Sequence, residues 1–301
     1  MRKIIWKFTL RMLRKMRFLP SISYAKFHYE YFNGKKLNLY DPIEFNEKIQ
    51  WLKVFYRPKI LNQLVDKYAV RDYVEAKIGA EYLNEIYGVY NSPKDIMYEE
   101  LPQKFIIKAT HASSYNLIVT DKDKLNKTKV AKLFKKWLSI NQYYRMGQEW
   151  AYKDVQPRLI AERFLKEDGR ISLIDYKFYC FNGEAKLLEV HLDRDEDHKR
   201  GFYDLNFNRL PYRYVSVEKS ISSEVEKPTN FEEMKNLSEI LAVNFPFVRV
   251  DFYSIKGKTI FGEMTFYPSD GRKDLHPNKY NKIMGDYIKL PKLETGQQFI
   301  A

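Results

Sequence analysis

Cysteine is nearly absent from this chain: Cys180 is the only one in 301 residues. That excludes an intramolecular disulfide and a thiolate metal cluster, and it points to a cytoplasmic protein. Cys180 lies inside the aromatic run DYKFYCF, where a thiol packs as a small, inert apolar group. No apolar stretch is long enough, and free enough of charge, to serve as a membrane span or a signal peptide. Zinc-finger spacing and the aromatic RNA-binding signature are both missing, so nucleic acid is not an expected partner. There is no internal repeat and no low-complexity linker. Acidic residues are missing altogether from residues 1–20, which carry seven Lys and Arg.

What is present is aromatic and basic. Hydrophobic residues make up 45%, enough for a sizeable core in one large domain or two modest ones. The 24 Tyr and 20 Phe favour a β-containing fold with thick aromatic packing. A net charge of +13 suits acidic substrates or an anionic surface. At the N-terminus Ile5, Phe8, Met12, Met16 and Leu19 recur at helical spacing until Pro20. Residues 1–19 are expected either to lie on an anionic membrane surface, making the protein peripheral on the inner leaflet, or to dock on their own domain.

Helical periodicity spans residues 41–80, with Phe45, Ile49, Leu52 and Phe55 apolar in the first part. A second helix is expected to run unbroken through Lys67 and Arg71 to Gly79. Lys67 and Arg71 then lie one turn apart, facing a phosphate or forming a solvated face. KFIIKATHASSYNLIVT reads as strand, polar loop, strand, with Lys108 in the first strand and His111, Ser113 and Ser114 in the loop. Such a loop can cradle phosphates, although it has none of the glycines of a Walker loop. Residues 127–145 predict one basic amphipathic helix, and RLIAERFL a short strand interrupted by Glu162. ISLIDYKFYCFNGEAKLLEVHLDR predicts a hairpin about Asn182-Gly183, with Lys177 on its first strand. Asp193, Asp195 and Asp197 alternate in a loop, the spacing of a nucleotide-sugar metal site or of solvated turn residues. A further strand pair is expected over residues 200–213 and a helix over 231–244. The tail past residue 291 has no pattern.

The rest of the chain is organised around NFPFVRVDFYSIKGKTIFGEMTFYPSDG, residues 244–271, which reads as two strands about a Lys-Gly-Lys turn. Alternation puts Arg249, Asp251 and Tyr253 on one face, and Phe261, Glu263 and Thr265 on one face of the partner. With Gly257 centred in a three- to five-residue loop, Asp251 opposes Glu263 and Arg249 opposes Thr265. Opposed Cβ atoms lie about 4.5–5.5 Å apart. Two carboxylates that close repel, so one takes a proton unless a cation lies between them. Mg²⁺ held by both acids and by phosphates is one occupant, and a surface hairpin with an Arg–Asp pair is the alternative.

VDKYAVRDYV, FIIKATHASSYN, IAERFL, DYKFYCFNGE and FVRVDFY…FGEMTFYPSDG together resemble the ATP-grasp superfamily, and more closely its teichuronopeptide-biosynthesis (TupA-like) branch. The resemblance covers roughly residues 45–284. It implies an α+β fold, two α+β lobes with antiparallel sheets enclosing ATP. The corresponding division is a basic helix at 1–30, a helical region at 31–100, a first lobe at 101–160, a second at 161–290 and a tail at 291–301. Lys67 and Lys108 match lysines that touch the ATP phosphates, beside Ser113 and Ser114. Glu162 and the backbone of Arg163, Phe164 and Leu165 match the hinge that reads adenine. Lys177 matches a basic residue near the phosphates, and Arg249 adds catalytic positive charge. Asp251 and Glu263 match the Mg²⁺ acids. Thr265 stands where many relatives carry Asn, so its hydroxyl or Asp270 is the expected third ligand.

By the same resemblance the activity is that of an ATP-dependent carboxylate–amine ligase of bacterial surface polysaccharide assembly. The expected acid is a uronic-acid sugar or polysaccharide intermediate, and the amine an amino acid or small amine. A glycosyltransferase using the Asp193–Asp197 loop is the main alternative. An ATP-grasp phosphotransferase on a sugar hydroxyl and a non-catalytic binding module are the others.

Overall fold

The computed structural model describes residues 19–166, 172–193 and 197–301. The basic stretch before Leu19 and the middle of the Asp193–Asp197 loop lie outside them. Helix α1 (Ser21–Asn33) overlaps the end of the 1–30 helical division but begins only after Pro20, and it buries Tyr24, Ala25, His28 and Tyr29. Helix α2 (Phe45–Phe55) opens with the Glu47 side chain accepting from the Glu44 N–H at 3.1 Å. Its Phe45, Ile49 and Leu52 are buried, one stripe at helical spacing.

The helix expected through Lys67 is broken. α3 (Ile60–Val65) and α4 (Val70–Ile78) flank an extended Asp66 at φ −76°, ψ 120°. Asp66 Oδ1 accepts from the N–H groups of Tyr68 (2.7 Å) and Ala69 (3.0 Å). A short acidic side chain thereby competes with the helix for its own backbone. Lys67 consequently sits on a corner, not on a helix face.

The first sheet contains β1 (Ile86–Tyr90), β2 (Phe105–Ala109), β3 (Asn116–Val119) and β4 (Leu159–Arg163), antiparallel in the order β1-β4-β2-β3. β1 falls inside the stretch expected to be helical. The helix α5 (Lys127–Leu138) covers the sheet with Val130, Phe134 and Trp137. It stops at Leu138, and a separate turn α6 (Gln142–Arg145) follows, capped by Asn141.

The second sheet contains β5 (Asp175–Phe181), β6 (Glu184–Leu192), β7 (Lys199–Tyr203), β8 (Phe247–Ile255) and β9 (Lys258–Thr265), in the order β7-β6-β5-β8-β9. All its pairings are antiparallel. Asn182 and Gly183 both adopt left-handed backbone, as a two-residue hairpin turn demands, and so do Lys256 and Gly257. The strand pair expected over 200–213 is reduced to β7. A turn held by Asp204 follows it, then a single bridge between Tyr203 and Arg209. Pro211, with no N–H to donate, cannot continue a ladder.

One face of this second sheet presents Phe178, Cys180, Leu188, Val248, Val250 and Phe252 to helix α7 (Phe231–Ala242). Burial there pushes the Cys180 thiol up to about 12. The other face carries Lys177, Tyr179, Glu189, Arg249 and Asp251 and is partly covered by α2, whose Phe45 meets Tyr179 and Phe247. Helix α8 (Lys279–Asp286) packs on α2, and the tail returns to the end of α2, where the Ile300 N–H reaches Phe55 O at 2.7 Å.

Candidate active site

The pairing of β8 with β9 opposes Asp251 to Glu263 and Arg249 to Thr265. The register is the expected one, reached by another route. The two-residue turn pairs Ile255 with Lys258, which on its own would set Asp251 against Gly262. A bulge beside Asp251 absorbs Gly262 and brings Glu263 into place. A Cβ at Gly262 would lie 3.0 Å from the Asp251 carbonyl oxygen, so glycine suits the position. The bulge also corrects the face of Phe261, which opposes Phe252 in the apolar layer and does not share the face of Glu263.

Arg249 lies at the centre of the acids. Its Nε donates to Asp251 Oδ1 and its Nη2 to Asp251 Oδ2, both at 2.7 Å. The same Nη2 is 3.0 Å from Glu263 Oε1 and 3.0 Å from Thr265 Oγ1. Lys177, directly opposite Asp251 on β5, pairs with the same carboxylate and lies 3.6 Å from Asp175. Burial works against the Arg249 charge, but Asp251 more than restores it and holds the guanidinium pKa well above its ordinary value. One oxygen each from Asp251, Glu263 and Thr265 thus converges on a single cationic nitrogen. Two carboxylates and a neutral oxygen are a donor set that fits Mg²⁺. Among the described residues no group of three His, Cys, Asp or Glu side chains is placed to hold a metal. An ion here would share its shell with substrate oxygens.

The α3–α4 corner brings Lys67 within electrostatic reach of Glu263, and Lys108 of the first sheet acts on that same lysine. Lys108 on β2 pairs with Glu162 on β4 at 2.6 Å, a diagonal contact across the ladder. Lys67 donates to the Ala112 carbonyl at 2.7 Å. Burial lowers its pKa, the Glu263 charge opposes that, and Lys108 adds to it. Lys67, on the corner, is therefore within electrostatic reach of Lys108 and Glu162 of the first sheet and of Glu263 of the second. Asp66 sets the corner: besides capping Tyr68 and Ala69, its Oδ2 accepts from Thr110 Oγ1 (3.2 Å) and Arg158 Nη2 (3.0 Å).

A family model described as TupA-like ATPgrasp matches residues 47–289. The chain belongs to the TupA-like ATP-grasp family. The resemblance read from the sequence is borne out, and the α+β architecture with two antiparallel sheets is that of the fold. Among solved structures the chain is similar to D-alanine–D-alanine ligase from Bacillus anthracis complexed with ATP, at 14% identity and a TM-score of 0.39. That match covers 69% of this chain and 55% of the ligase, so the chain spans little more than half the ligase's length. It is similar also to D-alanine–D-alanine ligase from Helicobacter pylori (13% identity, 84% and 68% covered, TM-score 0.42). A third is a RimK domain ATP-grasp protein from Sphaerobacter thermophilus (10% identity, 78% and 70% covered, TM-score 0.42). A comparison with curated proteins finds no match.

The other residues singled out in the sequence are placed as follows. Ser113 is half-buried and Ser114 exposed in the β2–β3 loop, with Ser114 in left-handed backbone. His111 is buried with Nε2 3.2 Å from the Trp137 carbonyl, a structural position. Of the implied hinge, Arg163 is already engaged. Its N–H donates to Glu85 O (3.0 Å) and its carbonyl accepts from Asn84 (2.9 Å), which leaves Phe164 and Leu165. Asp270 is not brought to the acidic hairpin. It is buried against Lys53 (2.8 Å), Arg272 (3.3 Å), His28 (3.5 Å) and the Gly147 N–H (3.1 Å). Asp197 pairs with Lys199 (2.9 Å) and Lys219 (2.6 Å) on the surface. Arg158 and the Asp270 partners were missed in the sequence, because no local pattern connects them to the site.

Proposed function

We propose that this TupA-like ATP-grasp protein is an ATP-dependent carboxylate–amine ligase of bacterial surface polysaccharide assembly, joining a uronic-acid sugar to an amino acid or small amine. The observation that carries the reading is the convergence of Asp251, Glu263 and Thr265 on one cation, with Lys67 of the α3–α4 corner within electrostatic reach of both Glu263 and Lys108. When bound, MgATP supplies the phosphoryl group that activates a carboxylate for attack by an amine. Asp251, Glu263 and Thr265 would hold the metal, Lys67 and Lys108 the phosphates, and Phe164 with Leu165 the adenine. Lys177 and Arg249 supply positive charge beside the transferring group, the kind of positioning and neutralisation that phosphoryl transfer needs. A basic chain suits an acidic sugar.

No helix among the described residues is long and apolar enough to cross a membrane. We place the protein in the cytoplasm, with residues 1–19 holding it at an anionic leaflet near lipid-linked intermediates. The testing experiment is thermal unfolding with MgATP, followed by ADP release with panels of uronic acids and amines. Stabilisation lost in Glu263→Gln, with ADP release that needs both acid and amine, supports the ligase. ADP release on a sugar alone would indicate a phosphotransferase, and stabilisation by UDP-sugars but not MgATP a glycosyltransferase.

A further inference from the structure

On the same face of the second sheet as the acidic hairpin, at its β7 edge, lies a cleft of about 230 Å³. Arg200, Arg209 and Arg213 line it, with Phe202, Tyr212 and Ser220. Arg200 is fixed by Glu189, through Nε at 2.7 Å and Nη2 at 2.5 Å. Glu189 also accepts from the Tyr179 hydroxyl at 3.0 Å. Arg209 is exposed, and neither it nor Arg213 has a carboxylate within ion-pair distance among the described residues. The Arg213 backbone is pinned to His276 on both sides (3.1 and 2.9 Å), while its Nε is buried with no partner. Of the three guanidinium groups only Arg200 has a carboxylate in ion-pair contact among the described residues, Glu218 lying within electrostatic reach of Arg213 but not paired with it. A buried donor without a partner costs free energy that a bound acceptor recovers. Arginine forks match carboxylate and phosphate oxygens in pairs, and the Phe202–Tyr212 ring pair, 5.0 Å apart, offers an apolar floor.

The pairing fixes how far this cleft is from the reacting centre. Phe202 opposes Glu189, Glu189 opposes Lys177, and Lys177 opposes Asp251. Three strand spacings of about 4.8 Å put the cleft roughly 14 Å from Asp251, with Glu263 one strand farther on. We infer that Arg200, Arg209 and Arg213 form a second anion site, which anchors a remote carboxylate or phosphate of an extended acidic carbohydrate while another part of it reaches the acidic hairpin. This rests on the ligase reading for the identity of the reacting end, but not for the site itself. The substrate class it names is a carbohydrate with at least two anionic positions, a polyuronate or a sugar joined through phosphate.

The test is calorimetric titration of the full chain, without nucleotide, with tri-galacturonate, glucose 1-phosphate and neutral maltotriose. Wild type is compared with Arg209→Gln and Arg213→Gln. The expected result is binding of at least one acidic probe, none of maltotriose, and an affinity about tenfold or more weaker in each variant. MgATP stabilisation should be unchanged in both. Preference for tri-galacturonate assigns a polyuronate. Preference for glucose 1-phosphate assigns a phosphate-linked sugar and removes the polyuronate. Acidic probes bound equally by wild type and variants, bound no better than maltotriose, or not bound at all, would overturn the site. If Arg213→Gln fails to fold, the exposed Arg209→Gln decides alone. Failure of the ligase reading shows elsewhere, as absent ADP release, because this titration involves no turnover.

Discussion

Arg249 gives Asp251 and Glu263 different fates on mutation. Asp251 is buried between Arg249 and Lys177, whereas the Glu263 side chain is 40% exposed. Asp251→Asn should lose activity and also about 3–5 kcal/mol of stability, because two buried cations lose their partner. Glu263→Gln should cost about 1 kcal/mol or less in folding, yet lower MgATP turnover about a hundredfold. Urea unfolding beside steady-state ADP release separates the two, and equal stability losses would refute the assignment of burial. Lys67 makes a pH prediction. Burial lowers its folded pKa, so the unfolded chain holds this proton more tightly and the lysine's contribution to stability grows as pH rises. Its charge is lost first in the folded state. MgATP affinity should therefore begin to fall below the ordinary lysine pKa of about 10.4, and Lys67→Arg should move that fall to higher pH. Affinities measured across the alkaline range decide it.

At the scale of elements, alternation was the legible signal. It marked β2, β4, β5, β6, β8 and β9, and with them Lys108, Glu162, Lys177, Asp251 and Glu263. It could not show where a single side chain or glycine overrides a period. Asp66 breaks a helix whose apolar spacing runs straight through it. Gly262 inserts a bulge that a count from the turn does not see, and the expected opposition of Asp251 and Glu263 came out right because a loop counted too long offset it. β1 was hidden because its partner β4 lies far along the chain. Gly262→Ala tests the bulge. The new methyl meets the Asp251 carbonyl at 3.0 Å, so the strand must shift. The Mg²⁺ requirement of turnover should rise several-fold while the unfolding temperature moves by only a few degrees.

The buried charges around Asp270 belong to the molecule as a whole. Burial raises both Asp270 and Glu149. Lys53, His28 and Arg272 overcome it at Asp270, which stays ionised, and that charge pushes Glu149 well above the carboxylate range. Ser269, Asp270 and Gly271 all take left-handed backbone, and Gln50 of α2 donates to the carbonyls of Asp270 (2.8 Å) and Gly271 (3.2 Å). Asp270→Asn should cost about 3–5 kcal/mol, read by chemical denaturation, with MgATP affinity unchanged in the protein that remains folded. None of this was legible beforehand, because Lys53 and Asp270 are 217 positions apart. Deleting residues 1–19 bears on the whole molecule too. The protein should move from the membrane to the soluble fraction and keep turnover on soluble substrates, and unchanged fractionation would sink the surface role.

That separation of 217 positions also sets an order of events during synthesis. Helices α1 and α2 leave the ribosome with His28 and Lys53 made for a carboxylate that does not yet exist. At about 5–20 residues per second the partner follows roughly 10–40 s later. Until then the nascent chain carries an unfinished interior, with apolar stripes and bare charges that only the last third can close. This protein should lean on chaperones while it is being translated, and a ribosomal pause before residue 270 should be more damaging than one after it.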